Sequence, residues 1–142
     1  ISLWQENKNI FLDSGDRFGL SKIAYNFLGG ILYFAEPLSA FFNPTINSYR
    51  RINAPATSSG ATWSPSSITY SGNNRTHMIR IPDPGRFELR LMDGSVNPYL
   101  LQAGVIAAGI DGMDKKKDPG KFCSKMSTVN GQCTIYNWKK EY

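Results

Sequence analysis

The segment Arg86-Phe87-Glu88-Leu89-Arg90-Leu91 constrains the fold more than any other stretch of the chain. Charged and apolar residues alternate strictly along it, the period of two that a half-buried β-strand requires and a helix does not produce. As a strand it places Arg86, Glu88 and Arg90 on one face and Phe87, Leu89 and Leu91 on the other. One face must lie on a core while the other carries three charges in a row. Upstream, Pro82-Asp83-Pro84-Gly85 is turn chemistry, and residues 76–81 read as a second short strand. An antiparallel pairing across that turn brings Arg80 onto the same sheet. Arg51 and Arg75 flank a long loop before it, so up to five guanidiniums converge around one carboxylate.

Pattern alone leaves two readings of this face. It is either a solvent-facing charge ladder, or a site in which Glu88 holds a hard cation and the guanidiniums neutralise phosphate or carboxylate oxygens. The net charge of +5 bears on the choice only once it is divided along the chain. Residues 50–90 carry six arginines against two acids and no lysine, whereas residues 115–142 carry seven lysines against two acids. Arginine is a rigid planar fork that grips carboxylate and phosphate through paired hydrogen bonds, and lysine is a hydrated point charge suited to a solvated tail. The arginine block therefore points to small-anion recognition. Nucleic-acid binding would favour lysines interleaved with exposed aromatics, and here the aromatics follow core periodicity.

The remaining elements follow from spacing and punctuation. A helix begins near Ser21, with Ile23, Phe27, Leu28, Ile31, Leu32 and Ala35 close to helical spacing, and Pro37 ends it or opens another. Gly29-Gly30 within it weakens the helix by about 1 kcal/mol per glycine, so the pair permits close packing instead. Residues 43–72 are rich in Asn, Pro, Ser, Thr and Gly, with turn signals at Asn43-Pro44, Ala54-Pro55, Ser59-Gly60 and Ser64-Pro65. They read as a functional loop anchored by Trp63, Ile68 and Tyr70, with a short strand at residues 67–70. Asn97 caps a deeply buried helix with Pro98 at its first position, and its Gly104, Ala107, Ala108 and Gly109 admit another backbone. The opening Ile1-Ser2-Leu3-Trp4 alternates as a strand would. His77, the one histidine, falls on the face opposite Arg80 and reads as structural.

With 142 residues, 41% hydrophobic, the chain supports one domain with a core and is neither disordered nor collagenous. The weakly polar run at residues 98–110 is shorter than the roughly 18 apolar residues needed to span a bilayer, and no leader pattern opens the chain. A soluble, cytoplasmic protein is expected. Cys123 and Cys133 are too few for a disulfide scaffold and lack zinc-site spacing, so both read as free thiols. Neither a phosphate-binding Gly-x-x-x-x-Gly-Lys loop nor a nucleophilic triad is present.

Four ordered motifs carry a resemblance: Asn43-Pro44-Thr45-x-Asn47-Ser48-Tyr49-Arg50-Arg51, Asn74-Arg75-x-x-x-Ile79-Arg80-Ile81-Pro82, Arg86-x-Glu88-x-Arg90, and Asn97-Pro98-Tyr99-Leu100. Together they resemble the carboxyl-terminal part of the glutamine synthetase catalytic domain over residues 1–120, leaving 121–142 as a divergent tail. Arg51-Ile52-Asn53-Ala54-Pro55 and Pro84-Gly85-Arg86-Phe87-Glu88-Leu89-Arg90 are similar to the branch holding the rhizobial-type third glutamine synthetase and γ-glutamylmethylamide synthetases. The resemblance implies an α+β fold, an antiparallel sheet backed by helices. It also implies an ATP-dependent ligase that joins ammonia or a small amine to the γ-carboxylate of glutamate through γ-glutamyl phosphate.

By the same resemblance Glu88 is a ligand of the metal, Mg²⁺ or Mn²⁺. Arg51, Arg75 and Arg90 bind substrate glutamate or stabilise the transferring phosphate, Arg75 acting in catalysis. Arg80 and Arg86 lie around the ATP phosphates, and Ser2 lies near the nucleotide. Homo-oligomers of stacked rings are implied for the complete enzyme. The family's His-x-His and its other metal-binding glutamates are not in this sequence. The family's flap, with its glutamate, is replaced by Asn53 to Ser58. The 142-residue chain alone is expected to be inactive. The competing expectation is a non-catalytic domain that binds anions or nucleic acid through its arginine-rich face.

Overall fold

The computed structural model describes residues 1–52, 64–65, 67–123 and 136–137. The Asn53 to Ser58 replacement, the Ala54-Pro55 and Ser59-Gly60 turn signals, Trp63 and Cys133 lie outside the described residues.

Three helices form where spacing and caps place them. In α1, Lys22–Tyr33, the Ser21 hydroxyl oxygen accepts from the Ala24 N–H at 3.3 Å and so relieves one of the helix's unpaired donors. Phe34 closes α1 and opens α2, Ala35–Phe42, where Pro37 sits in a first turn that has no use for its missing N–H. In α4, Pro98–Asp114, Asn97 Oδ1 accepts from the Tyr99 and Leu100 N–H groups. Lys116 ends α4 in the left-handed region, at φ 50°. Lys117 N–H bonds Gly112 O and Lys116 N–H bonds Met113 O, the paired bonds of a Schellman cap. The Lys117 ammonium then lies 3.4 Å from the centre of the Tyr33 ring on α1.

Helices α1 and α4 cross with their backbones in contact. A Cβ on Gly30 would lie 2.0 Å from Ala108 O, and one on Gly112 2.3 Å from Asn26 O. Gly29-Gly30 therefore does serve close packing. The expectation that α4 is deeply buried is corrected: Ala108, Gly109 and Gly112 are its buried residues, while Tyr99, Leu100, Ile106 and Ile110 are 81%, 50%, 54% and 45% exposed. Small residues form the contact stripe, with Leu101, Val105 and Met113 half-buried beside it, while Tyr99, Leu100, Ile106, Ala107 and Ile110 are turned outward.

The stretch read as irregular holds a further helix, α3, Ile46–Ile52. Thr45 Oγ1 accepts from Ser48 N–H and Ser48 Oγ accepts from Thr45 N–H, each at 3.2 Å, a reciprocal capping box closed by serine in place of glutamate. The strand expected at residues 67–70 appears as two, β3, Ser67–Ile68, and β4, Tyr70–Ser71.

The central sheet runs β4-β5-β6, with β5 at Ile79–Asp83 and β6 at Arg86–Leu89. Strands β5 and β6 are antiparallel, with Ile79 opposite Leu89 and Arg80 opposite Glu88. The turn between them needs Gly85, whose φ is 73°. Strand β4 pairs with β5 in parallel, so the sheet is mixed where a wholly antiparallel one was expected. Strand β5 starts later than expected because Asn74 Oδ1 takes the Thr76 N–H and hydroxyl into a side-chain turn. Trp4–Gln5 (β1) and Lys8–Asn9 (β2) form a short hairpin, and β3 pairs with β7, Tyr136–Asn137. The opening residues are not one strand: Ile1 exchanges backbone hydrogen bonds with Phe87, which adds it to the edge of β6.

The core beneath the sheet is aromatic. Phe11 stacks on Phe87 at 5.8 Å between ring centres and meets Phe27 of α1 edge-on at 5.4 Å. Cys123 packs against this body, its N–H bonded to Tyr70 O at 3.0 Å and the residue 4% exposed. It is disulfide-bonded, which corrects the free-thiol expectation for this residue. Too few cysteines for a scaffold still leaves enough for one bridge. The solvated-tail expectation is corrected at its near end as well, since Tyr70 donates its hydroxyl to Gly120 O at 2.7 Å. Among the described residues no helix is long and apolar enough to cross a membrane.

Candidate functional site

Burial of Phe87 and Leu89 fixes β6 against the core, and the pleat then forces Glu88 onto the opposite face, across from Arg80. Glu88 divides its two oxygens. Oε2 accepts from Arg80 Nη1 at 2.7 Å and Oε1 accepts from Arg90 Nη1 at 2.9 Å. Both arginine side chains are 16% exposed and the carboxylate 40%. Asn73 Oδ1 accepts from Arg80 Nε at 2.8 Å, and Arg75 O accepts from Arg90 Nε at 3.0 Å. The Arg80 hydrogen bond, opposed by burial and reinforced by Arg90, holds the Glu88 carboxyl below its ordinary pKa. Two cations share one anion here, so the cluster keeps a net positive charge.

Arg51 lies at the end of α3 behind this pair. Its Nη2 donates to Asn43 Oδ1 at 3.1 Å and to Leu91 O at 2.7 Å, and its Nη1 donates to Ser64 Oγ at 3.3 Å. Its Nε is buried and, among the described residues, has no hydrogen-bond partner. Burial lowers the Arg51 pKa from its ordinary value; Asp93 opposes that shift and Arg90 adds to it, which puts Arg51 within the electrostatic reach of the Glu88 cluster.

The convergence of five guanidiniums on Glu88 is corrected. Arg80 and Arg90 pair with it directly, while Arg86 turns to Asp83, its Nε 2.9 Å from Oδ2. Arg86 stands opposite Asp83 at the turn end of the ladder, where the acid is nearer than Glu88. Arg75 is exposed in the loop before β5 and contributes its carbonyl to Arg90. Ser2 is exposed, its Oγ accepting from Trp4 Nε1 at 3.1 Å. His77 is fully buried, Nδ1 lying 2.8 Å from Thr69 Oγ1, consistent with a structural role.

Sequence reasoning missed the residues that hold the arginines: Asn43 and the Leu91 carbonyl for Arg51, and Asn73 for Arg80. Asn43 was visible as a turn signal before Pro44 and as the first residue of a motif, neither of which assigns its side chain to Arg51, and a backbone carbonyl has no signature in a sequence. Chemically the arrangement gathers guanidinium donors, the groups that grip carboxylate and phosphate oxygens. It does not make a cation site on its own, because both Glu88 oxygens are engaged by guanidiniums and no group of three His, Cys, Asp or Glu side chains occurs among the described residues. A hard divalent cation takes about six oxygen ligands.

Residues 1–131 match the family model described as glutamine synthetase, catalytic domain. The chain belongs to that family. A glutamine synthetase of Rhizobium meliloti (strain 1021) is 60% identical over 123 residues, covering 85% of this chain and 28% of that protein. A glutamate–methylamine ligase of Methyloversatilis universalis is 48% identical over 122 residues, covering 84% of this chain and 27% of that protein. A solved structure described as a GmaS/ADP complex superposes with a TM-score of 0.80 at 55% identity, over 88% of this chain and 29% of that one. This glutamine synthetase family chain thus spans little more than a quarter of the length of the relatives it matches. The superposition agrees with the α+β fold class expected from the sequence.

Proposed function

We propose that this chain is the carboxyl-terminal portion of the catalytic domain of an ATP-dependent ligase joining ammonia or a small amine to the γ-carboxylate of glutamate. The observation that carries the reading is Glu88 held between Arg80 and Arg90 on one sheet face, with Arg51 behind them, in a chain of this family. In this reading residues 1–120 are the catalytic-domain part and 121–142 an appended tail. Arg80 and Arg86 face the phosphates of ATP, with Ser2 beside the nucleotide. Arg51, Arg75 and Arg90 hold the glutamate carboxylate and the transferring phosphoryl group, Arg75 at the reacting centre.

Such a path needs fixed positive charge at two moments. The γ-carboxylate attacks the terminal phosphorus of ATP and displaces ADP, and the amine then displaces phosphate from the acyl phosphate and loses a proton; both transition states concentrate negative charge on oxygen. Guanidiniums supply that charge without losing a proton near neutral pH. Glu88 would contribute one carboxylate to a Mg²⁺ or Mn²⁺ site. When bound, that ion neutralises phosphate charge. The relatives' names divide between ammonia and methylamine chemistry, and the acceptor is one of the two. The complete enzyme works in the cytoplasm as a homo-oligomer.

Two measurements test this. The 142-residue chain supplied with Mg²⁺, ATP, glutamate and ammonia or methylamine should form no amide. A chimera in which residues 1–120 replace the matching segment of the rhizobial relative should form γ-glutamyl amide, and its preference between the two amines reports the acceptor. Turnover by the chain alone, or a folded chimera without activity, overturns the reading.

A further inference from the structure

Arg51 is held differently from Arg80 and Arg90. Those two give part of their charge to Glu88, but among the described residues each hydrogen-bond partner of Arg51 is neutral: the Asn43 amide oxygen, the Leu91 carbonyl and the Ser64 hydroxyl. A carboxylate is near enough to act on it, since Asp93 stabilises the charged form of Arg51. Asp93 is nevertheless tied off on both oxygens. Ser48 donates its hydroxyl to Oδ2, and the Ser95 N–H and hydroxyl each reach Oδ1 at 2.6 Å. The fold thus places Arg51 beside an acid and keeps the two from pairing.

Asn43 is the residue that makes this possible. It is fully buried at the end of α2, its N–H bonded to Ser39 O at 2.9 Å and its Nδ2 donating to Ser39 Oγ at 3.1 Å. The amide is locked from one side, and its oxygen is aimed at Arg51 Nη2 from the other. With both Nη2 hydrogens occupied by Asn43 and Leu91 O, the guanidinium plane is held in one orientation, and its Nε–H has no acceptor among the described residues.

We infer, resting on the reading of Arg51 as an anion-binding residue, that Asn43 is a positioning residue that fixes the Arg51 guanidinium while leaving its full charge to an anionic ligand. The amide is required because a carboxylate in the same place would orient Arg51 equally well and cancel its charge.

The variants Asn43→Asp and Asn43→Ala separate orientation from charge. The Arg51 Nε–H resonance, assigned by its loss in Arg51→Lys, reads orientation without any ligand. Protection from solvent exchange should persist in wild type and Asn43→Asp and be lost in Asn43→Ala. Titration with inorganic phosphate and with glutamate reads charge: Asn43→Asp should bind about tenfold more weakly than wild type while melting no lower. A merely structural Asn43 would tolerate aspartate with affinity unchanged, and that result overturns the proposal. So does a protected Arg51 resonance in Asn43→Ala. If Asn43→Ala does not fold, the Asn43→Asp comparison decides. If wild type binds neither anion, the anion-binding reading of Arg51 fails, while the resonances still decide whether Asn43 orients it.

Discussion

Glu88 sits between two cations that are each far less exposed than it is, so its carboxylate is the counter-ion of the half-buried Arg80 and Arg90. A carboxyl whose folded pKa is depressed stabilises the fold above its unfolded value and loses that contribution as pH falls through the folded one. Stability should therefore drop below the ordinary glutamate range, near pH 4.5 and under. Glu88→Gln should cost about 1 kcal/mol at pH 7 and flatten this acid limb, read by urea unfolding at neutral and acidic pH. A variant whose acid limb matches wild type would assign the pH dependence to other carboxylates. At this scale the sequence disclosed which residues carry charge and on which side of the strand they stand, because a period of two is unambiguous. The pairing was less accessible. Arg86 and Arg90 are equally spaced from Glu88 along the chain, and only the turn geometry that brings Asp83 to Arg86 separates their fates.

The crossing of α1 and α4 depends on backbone atoms that meet where side chains would ordinarily keep helices about 8–10 Å apart. Gly30→Ala and Gly112→Ala should each destabilise the fold by about 3 kcal/mol, since the added methyl group meets main chain and not a yielding side chain. Gly94→Ala, with nothing within 4 Å, should stay within about 0.5 kcal/mol. Thermal melts of the three variants test the contrast. Among elements, those with strong caps were legible: Ser21, and Asn97 before Pro98. Helix α3 was not, because its box closes through Ser48 where the recognisable residue is glutamate or glutamine, and its composition resembles a loop. The burial of α4 was misjudged for a different reason. Apolar residues occupy its outer side too, and helical spacing alone cannot say which of two apolar stripes meets the core.

For the molecule as a whole, that outer stripe is the consequential surface. Leu100, Ile106 and Ile110 are about half exposed or more, an apolar arrangement that drives association in water. The 142-residue chain should therefore self-associate with rising concentration. Light scattering after gel filtration should show Leu100→Lys with Ile106→Lys shifting it toward monomer, and a wild-type chain that stays monomeric at every concentration would refute this. The α+β class was legible in the sequence because strand and helix periods each recur without conflict. The parallel β4–β5 pair was not, since it depends on how residues 72–78 return the chain. Strand β6 carries a last consequence. Phe87 and Glu88 are neighbours on opposite sides of one pleat, so sliding the strand by a single residue would drive a carboxylate among the rings of Phe11 and Phe27 and strand an aromatic beside two guanidiniums. Misalignment there is penalised twice over, and a chain that has folded at all has already proofread the placement of its arginines.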